Sequence, residues 1–244
     1  MDKTVFKRIE TKYLLNDIQY RALLERIRHK AEVDEYGESS ILNIYFDTPD
    51  YRLIRTSLEK PKYKEKLRLR SYGVPTDETK AFIEIKKKYN DVVYKRRITA
   101  GYGESIDYLY YGHPLKNQSQ ISKEIDYLVG YYQGIRPMMA ISYDRIAMIG
   151  TQDPELRITF DTNIRWRCDR LDLKYGNVGQ DILKPGEHLM EIKIAGAMDL
   201  ELAHILSELH IYPTSFSKYG RGYQMLVAQR KEDEQVFYTK ERSA

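Results

Sequence analysis

From Lys66 to Arg70 and again from Ile83 to Lys86, charged and apolar residues alternate with a period of two. In a strand, residues two apart point to the same face, so this pattern restricts the chain to sheet with one basic and one apolar side. Lys66, Arg68 and Arg70 share a face, with Leu67 and Leu69 opposite. Glu84, Lys86 and Lys88 share another, against Ile83 and Ile85. Lys95 and Arg97 repeat the spacing, as do Tyr143 with Arg145 and the run Arg157, Thr159, Asp161. Glu-x-Lys recurs at Glu10/Lys12, Glu84/Lys86 and Glu191/Lys193.

Turn chemistry divides these runs into short strands. The predicted spans are 5–14, 41–47, 63–72, 80–88, 92–99, 136–148, 156–160, 163–168 and 187–194. Asp47-Thr48-Pro49-Asp50 reads as a turn, and Asn90-Asp91 and Asp161-Thr162 read as tight hairpin connections. Helical spacing appears at Tyr20, Leu23, Leu24 and Ile27, behind an Asn16/Gln19 capping box. A second stripe, Ile121, Ile125, Leu128, Val129 and Tyr132, ends at Gly134; Asp199 caps a third helix carrying Leu202, Ile205, Leu206 and Leu209. A fourth helix is predicted over about 219–229, and 101–120 stays unassigned. No linker divides the chain, so one domain over 1–230 with a solvated tail at 231–244 is the economical reading for 244 residues.

The remaining composition excludes several classes. Mean hydropathy is −0.62, and no apolar run approaches the ~18 residues needed to cross a bilayer. Met1-Asp2-Lys3-Thr4 leads directly into mixed polar sequence and predicts no secretory leader. Cys168 is the one cysteine, which rules out an internal disulfide and points to the cytoplasm. The five histidines (His29, His113, His188, His204, His210) lack metal-ligand spacing, and neither a P-loop nor a complete dinucleotide loop is present.

Charge is unevenly placed. Between Lys60 and Arg97 there are 13 Lys and Arg against 5 Asp and Glu, which calls for an anionic partner. For any single strand, a wet outer face explains the alternation. For the set, the faces are mostly cationic and arginine-rich beyond what a solubilising face requires; if the sheet closes, one face points inward and amphipathic helices are available to cover the other. An inward array of that kind repels itself unless it binds a polyanion.

Lys66-Leu67-Arg68-Leu69-Arg70, Glu84-Ile85-Lys86, Arg157-Ile158-Thr159-Phe160-Asp161, Glu191-Ile192-Lys193 and Ser217-Lys218-Tyr219, with Tyr45-Phe46-Asp47-Thr48, resemble in order the motifs of the VTC domain. That domain is the catalytic part of the vacuolar transporter chaperone polyphosphate polymerase and belongs to the triphosphate tunnel metalloenzyme group, which includes the CYTH enzymes. CYTH relatives carry Glu-x-Glu-x-Lys near the N-terminus, where this chain has Arg8-Ile9-Glu10-Thr11-Lys12. The missing carboxylate favours the VTC branch over thiamine-triphosphatase or adenylate-cyclase readings.

The resemblance implies an α+β fold: a closed antiparallel β-barrel, the triphosphate tunnel, with amphipathic helices packed outside. It implies transfer of the γ-phosphate of ATP to a growing polyphosphate chain, with ATP and inorganic polyphosphate as ligands and Mn²⁺ or Mg²⁺ as cofactor. Arg68, Arg70, Lys86, Arg145 and Arg157 are then expected to hold nucleotide phosphates. Lys66, Lys95, Arg97, Lys193 and Lys218 are expected to contact them or the emerging chain. Glu191, with Glu10 as helper, is the expected metal ligand. Lys12 either orients or deprotonates an attacking phosphate, or is a salt-bridged structural lysine. Glu84 is read as an internal ion-pair partner. Eukaryotic relatives work in membrane complexes, which leaves a membrane-protein partner open; a specific nucleic-acid ligand is not expected. A triphosphatase or polyphosphatase in the same tunnel, and a non-catalytic polyphosphate-binding module, are the competing readings.

Overall fold

The computed structural model describes residues 9–90 and 92–241. Ten strands, β1 (Ile9–Asn16), β2 (Ala31–Asp47), β3 (Tyr63–Tyr72), β4 (Lys80–Tyr89), β5 (Val92–Gly101), β6 (Arg136–Gly150), β7 (Arg157–Arg167), β8 (Gln180–Asp181), β9 (Glu187–Ile194) and β10 (Pro213–Thr214), form one sheet. Six helices accompany it: α1 (Asp17–Ile27), α2 (Arg52–Leu58), α3 (Tyr102–Tyr111), α4 (Gln120–Tyr131), α5 (Leu200–Glu208) and α6 (Lys218–Glu241). The strand order is β10-β1-β9-β7-β6-β2-β3-β4-β5, with β8 beside β7, and the pairings are antiparallel.

The sheet curls strongly, since Glu10 on β1 comes within 4.0 Å of Lys86 on β4 although five strands lie between them in the order. Of the expected α+β barrel the structure bears out the fold class and a single antiparallel sheet, whose hydrogen-bonded path among the described residues runs from β10 to β5.

The alternation places two kinds of surface on the sheet. On the face opposite the charges, Leu67, Leu69, Ile83 and Ile85 pack with Tyr102 of α3 and with Ile125 and Leu128 of α4. Farther along, Ile158, Phe160, Met190 and Ile192 pack with Leu23 and Ile27 of α1 and with Leu202, Ile205 and Leu206 of α5. These contacts bear out the three predicted stripes, except that Val129 is exposed. Asn16 and Gln19 form the expected capping box, and the Asp199 carboxylate accepts from Leu202 N.

Helices α2 and α6 depart from the expectation that every helix lies outside. They pack on the charged side, where Ile41, Tyr45, Met139, Ile141, Ile164 and Trp166 make that face apolar, against Ile54, Tyr219 and Leu226. The approach is close: a Cβ at Gly222 of α6 would meet Met139 Sδ at 2.7 Å. Helix α6 also continues well past 229, and residues 231–233 of the expected tail are its exposed turns.

Other differences have local causes. Asp161-Thr162 is no hairpin; 157–167 is one strand, and Asn163 adopts a left-handed φ of 48° beside a register shift against β6. This bulge exchanges the faces of β7, so that Asp161 and then Ile164 both point to the charged side. Helix α2 follows the 47–50 turn because buried Asp47 accepts from Leu53 N at 2.8 Å and Ile54 N at 3.0 Å, acting as a remote cap. Helix α3 fills part of the unassigned 101–120 segment, and β2 starts ten residues earlier than predicted, held by pairing with the end of β6. Tyr89 pairs with Val92 as the Asn90-Asp91 turn requires, with Asn90 left-handed; Asp91 lies outside the described residues, as do positions 5–8 of the first predicted strand.

Two motifs far apart in sequence lock α6 in place. The Tyr219 hydroxyl donates to Asp47 Oδ2 at 2.8 Å, and its ring stacks on Tyr45 with centroids 4.5 Å apart. Tyr219→Phe removes a donor from a buried carboxylate and is expected to lower unfolding free energy by about 1–3 kcal/mol. Denaturant unfolding checks this; unchanged stability would mean that Asp47 is satisfied without Tyr219.

Candidate functional site

The charged face encloses a cavity of about 240 Å³. Its wall contains nine basic side chains, Lys12, Lys66, Arg68, Arg70, Lys86, Lys95, Arg145, Lys193 and Lys218, against the carboxylates of Glu10, Glu84 and Glu191. That imbalance creates a positive field which a simple solubilising surface would not need. Register makes the repulsion direct: Lys66 lies opposite Lys86, and Lys86 opposite Lys95, across three neighbouring strands. Like charges so placed oppose pairing.

Internal carboxylates hold the array together. Glu84 accepts from Arg68 Nε at 2.7 Å and pairs with Lys95 at 2.7 Å. Burial alone would push the Glu84 carboxyl up, but Arg68 and Lys95 outweigh it and bring it down to about 2. This is the ion-pairing role expected of Glu84. Asp161 accepts both Arg145 Nε (2.6 Å) and Nη2 (2.8 Å) and also Lys218 Nζ (2.5 Å). Two guanidinium planes are thereby fixed before any ligand arrives, which suits bidentate phosphate recognition. Arg68 is held further by Tyr45, whose hydroxyl accepts from Nη1 at 3.3 Å. Arg70 lines the same wall, and its buried Nε has no protein acceptor among the described residues.

The Ser217-Lys218-Tyr219 motif sends each residue to a different anchor. Ser217 Oγ accepts from Lys66 Nζ at 3.3 Å, Lys218 reaches Asp161, and Tyr219 reaches Asp47. Sequence reasoning missed Tyr143, which lines the cavity beneath Lys218 Nζ (4.3 Å from the ring centre) and Arg145 (5.1 Å). Burial pushes its phenol up, yet the adjacent cations prevail and hold it below its ordinary value. Its parity with Arg145 was the available signal. Asp161 was visible by the same parity but carried no assigned role.

Glu191 pairs with Lys193 at 2.8 Å and with Lys12 at 3.9 Å; Glu10 lies 3.9 Å from Lys12. Burial pushes the Glu191 carboxyl up, but Lys193 and Lys12 bring it down to about 2, so it is ionised as a metal ligand must be. Glu10 is opposite Lys193 and Glu191 opposite Lys12, which makes the two carboxylates diagonal neighbours on β1 and β9. Next to Glu191 in register is Thr159, whose buried Oγ1 has no protein partner among the described residues. Among the described residues no three His, Cys, Asp or Glu side chains gather into a metal shell. Glu191 and Glu10 are the carboxylates on this wall that could serve a Mg²⁺- or Mn²⁺-type ion, which takes one or two carboxylates beside water and ligand phosphates.

Eleven of the thirteen expected site residues border this cavity: Lys12, Arg68, Arg70, Lys86, Lys66, Lys95, Arg145, Lys193, Lys218, Glu191 and Glu10. Two do not. Arg157 shares the charged face, opposite Lys193, but is absent from the cavity wall. Arg97 lies over the Phe82 ring at 4.7 Å and outside the cavity wall, although its register partner Glu84 borders the cavity.

A second basin of about 540 Å³ adjoins the first, sharing Glu10, Lys12, Lys66, Lys86 and Ser217 with it. Lys60, Lys64 and Lys88 extend its basic lining outward. Lys66 therefore stands at the neck between the two spaces.

Residues 7–227 match the family model described as the VTC domain. The chain belongs to the VTC domain family. Its fold is shared with two solved structures. One, from Bacillus halodurans, is provisionally assigned as an adenylate cyclase; it is 15% identical, with a TM-score of 0.56, over 88% of this chain and 95% of that one. The other, an adenylyl cyclase homologue from Hippeastrum for which a dominant triphosphatase activity is reported, is 15% identical, with a TM-score of 0.54, over 89% and 95%. Comparison with curated proteins finds no significant match.

The neck lysine carries a pH prediction. Burial, reinforced by Lys12 and Lys86, brings the Lys66 ammonium down to about 7. At pH 8 the free amine then prevails, and a bound polyanion restores the charge by drawing in a proton. Calorimetry with inorganic tripolyphosphate in buffers of different ionisation heat is expected to show proton uptake at pH 8 that disappears in Lys66→Arg. Equal uptake in both proteins would remove Lys66 as its source.

Proposed function

We propose that this VTC-domain protein transfers the terminal phosphoryl group of ATP to inorganic polyphosphate within the basic cavity. The observation that carries this reading is the paired space: a cavity walled by fixed guanidinium groups opening through Lys66 into a larger lysine-lined basin. The first suits a triphosphate, and the second suits a polyanion longer than one.

Phosphoryl transfer needs positioning and charge stabilisation more than covalent help from the protein. Arg68 and Arg145, held by Glu84 and Asp161, orient the nucleotide phosphates without reorganising. Lys218 and Arg70 add charge on the same wall. The attacking group is a terminal phosphate oxygen of the acceptor chain, already anionic at neutral pH, so no strong general base is required. Lys12, anchored to Phe216 O at 3.0 Å and lowered in basicity chiefly by burial, with Glu191 opposing and Lys218 adding to that effect, is placed to orient that oxygen. Glu191 and Glu10 would hold the divalent ion, which when bound supplies charge neutralisation on the phosphates. ADP and a chain one phosphate longer are the products.

Incubation with ATP and Mn²⁺ is expected to give a ladder of phosphate chains on a gel. Glu191→Gln is expected to lower turnover at least tenfold across a metal titration, a loss of roughly 1.4 kcal/mol in transition-state stabilisation. Free phosphate with only short products would replace the polymerase with a hydrolase in the same cavity; metal-independent binding without turnover would make the protein a polyphosphate-binding module.

A further inference from the structure

The basic cavity has two unlike ends. Along the charged face of β3 the order is Lys64, Lys66, Arg68, Arg70 and Tyr72; on β4 it is Lys88, Lys86, Glu84 and Phe82. At one end are the lysines of the outer basin. That basin contains one aromatic ring, Phe216, which is 8% exposed and already beneath Arg221 at 5.7 Å.

At the other end, around Arg70, the chemistry changes. Tyr72 and Phe82 meet edge to face with centroids 5.8 Å apart. The Arg70 guanidinium lies 4.5 Å from the Tyr72 ring centre and donates to the Tyr72 hydroxyl at 2.8 Å. The Arg97 guanidinium lies 4.7 Å from the Phe82 ring centre. Tyr72 is 49% exposed, and Arg97 is exposed as well. Phe82 is in register with Arg70 and Arg97 with Glu84, so the two rings and the Arg97 guanidinium form a rim beside Arg70, with Tyr72 about 7 Å farther out along β3 by strand rise.

Linear phosphate has no flat surface to offer such a rim, whereas a nucleobase does. Aromatic rings and guanidinium planes stack on bases without needing hydrogen bonds to their edges. We propose that Tyr72, Phe82 and Arg97 form a base-stacking platform that holds the nucleoside of the incoming nucleoside triphosphate. The triphosphate then runs inward past Arg70 and Arg68, with its terminal phosphate toward Lys66. The growing chain leaves through the lysine basin, opposite the nucleoside. This rests on the nucleotide-dependent activity above and adds a direction to it. Because no base edge is read, ATP and GTP are expected to bind alike.

The test compares two probes by calorimetry, ATP and inorganic tripolyphosphate, on wild type, Tyr72→Phe and the double variant Tyr72→Leu/Phe82→Leu. Tyr72→Phe keeps the ring while removing the hydroxyl that Arg70 reaches. The double variant is expected to lose about tenfold or more in ATP affinity, with tripolyphosphate affinity unchanged and Tyr72→Phe close to wild type for ATP. Equal ATP affinity in all three proteins overturns the platform while leaving phosphate binding intact. Parallel loss of both ligands in the double variant also overturns it, since the rings then act only by supporting Arg70. Wild-type protein that binds neither probe refutes the phosphate-cavity reading itself.

Discussion

The electrostatic constraint on this fold is the placement of like charges directly across neighbouring strands. Lys66, Lys86 and Lys95 form one row through β3, β4 and β5, and six further cations border the same space. No sheet gains stability from that arrangement. What permits it is a small set of buried carboxylates, Glu84, Asp161 and Glu191, each shared between two or more cations. They offset enough repulsion for the sheet to curl, and they leave a net positive space.

The apolar parts serve that space. Helices α1, α3, α4 and α5 cover the dry face, so the strands can turn their charged side inward. Helix α6 does something different. Its N-terminus places Ser217, Lys218 and Tyr219 against three separate strands and ties the anion-binding wall to the core through Asp47. Fold and site are therefore coupled at one helix end, where the same three residues both complete the core and point a cation at the ligand space.

Much of this was legible in the chain itself. Period-two alternation identified the charged face, and the spacing of Leu23 with Ile27 or Ile125 with Leu128 identified the dry-face helices. Two-residue parity also grouped most of the cavity wall correctly. What it could not show depended on geometry in the third dimension. Asp161-Thr162 has turn chemistry, but Asp161 is captured by Arg145 and Lys218 and the residues become part of a bulged strand. Helix α2 starts without a local cap because its cap, Asp47, lies at the end of the preceding strand. Arg97 matches the charged pattern and lies in register with Glu84, yet its guanidinium turns onto the Phe82 ring, because parity fixes a face and not a side-chain direction. The VTC motifs supplied the order of the elements.

The central claim is that the cavity's repulsion is relieved by a bound polyanion. Denaturant unfolding with rising inorganic tripolyphosphate tests it without requiring turnover. A ligand that binds only the folded state must raise the midpoint continuously with the logarithm of its concentration. Such a rise is expected for the wild type at moderate salt, with its loss in Arg68→Ala/Arg70→Ala. A midpoint that does not move with tripolyphosphate would contradict it.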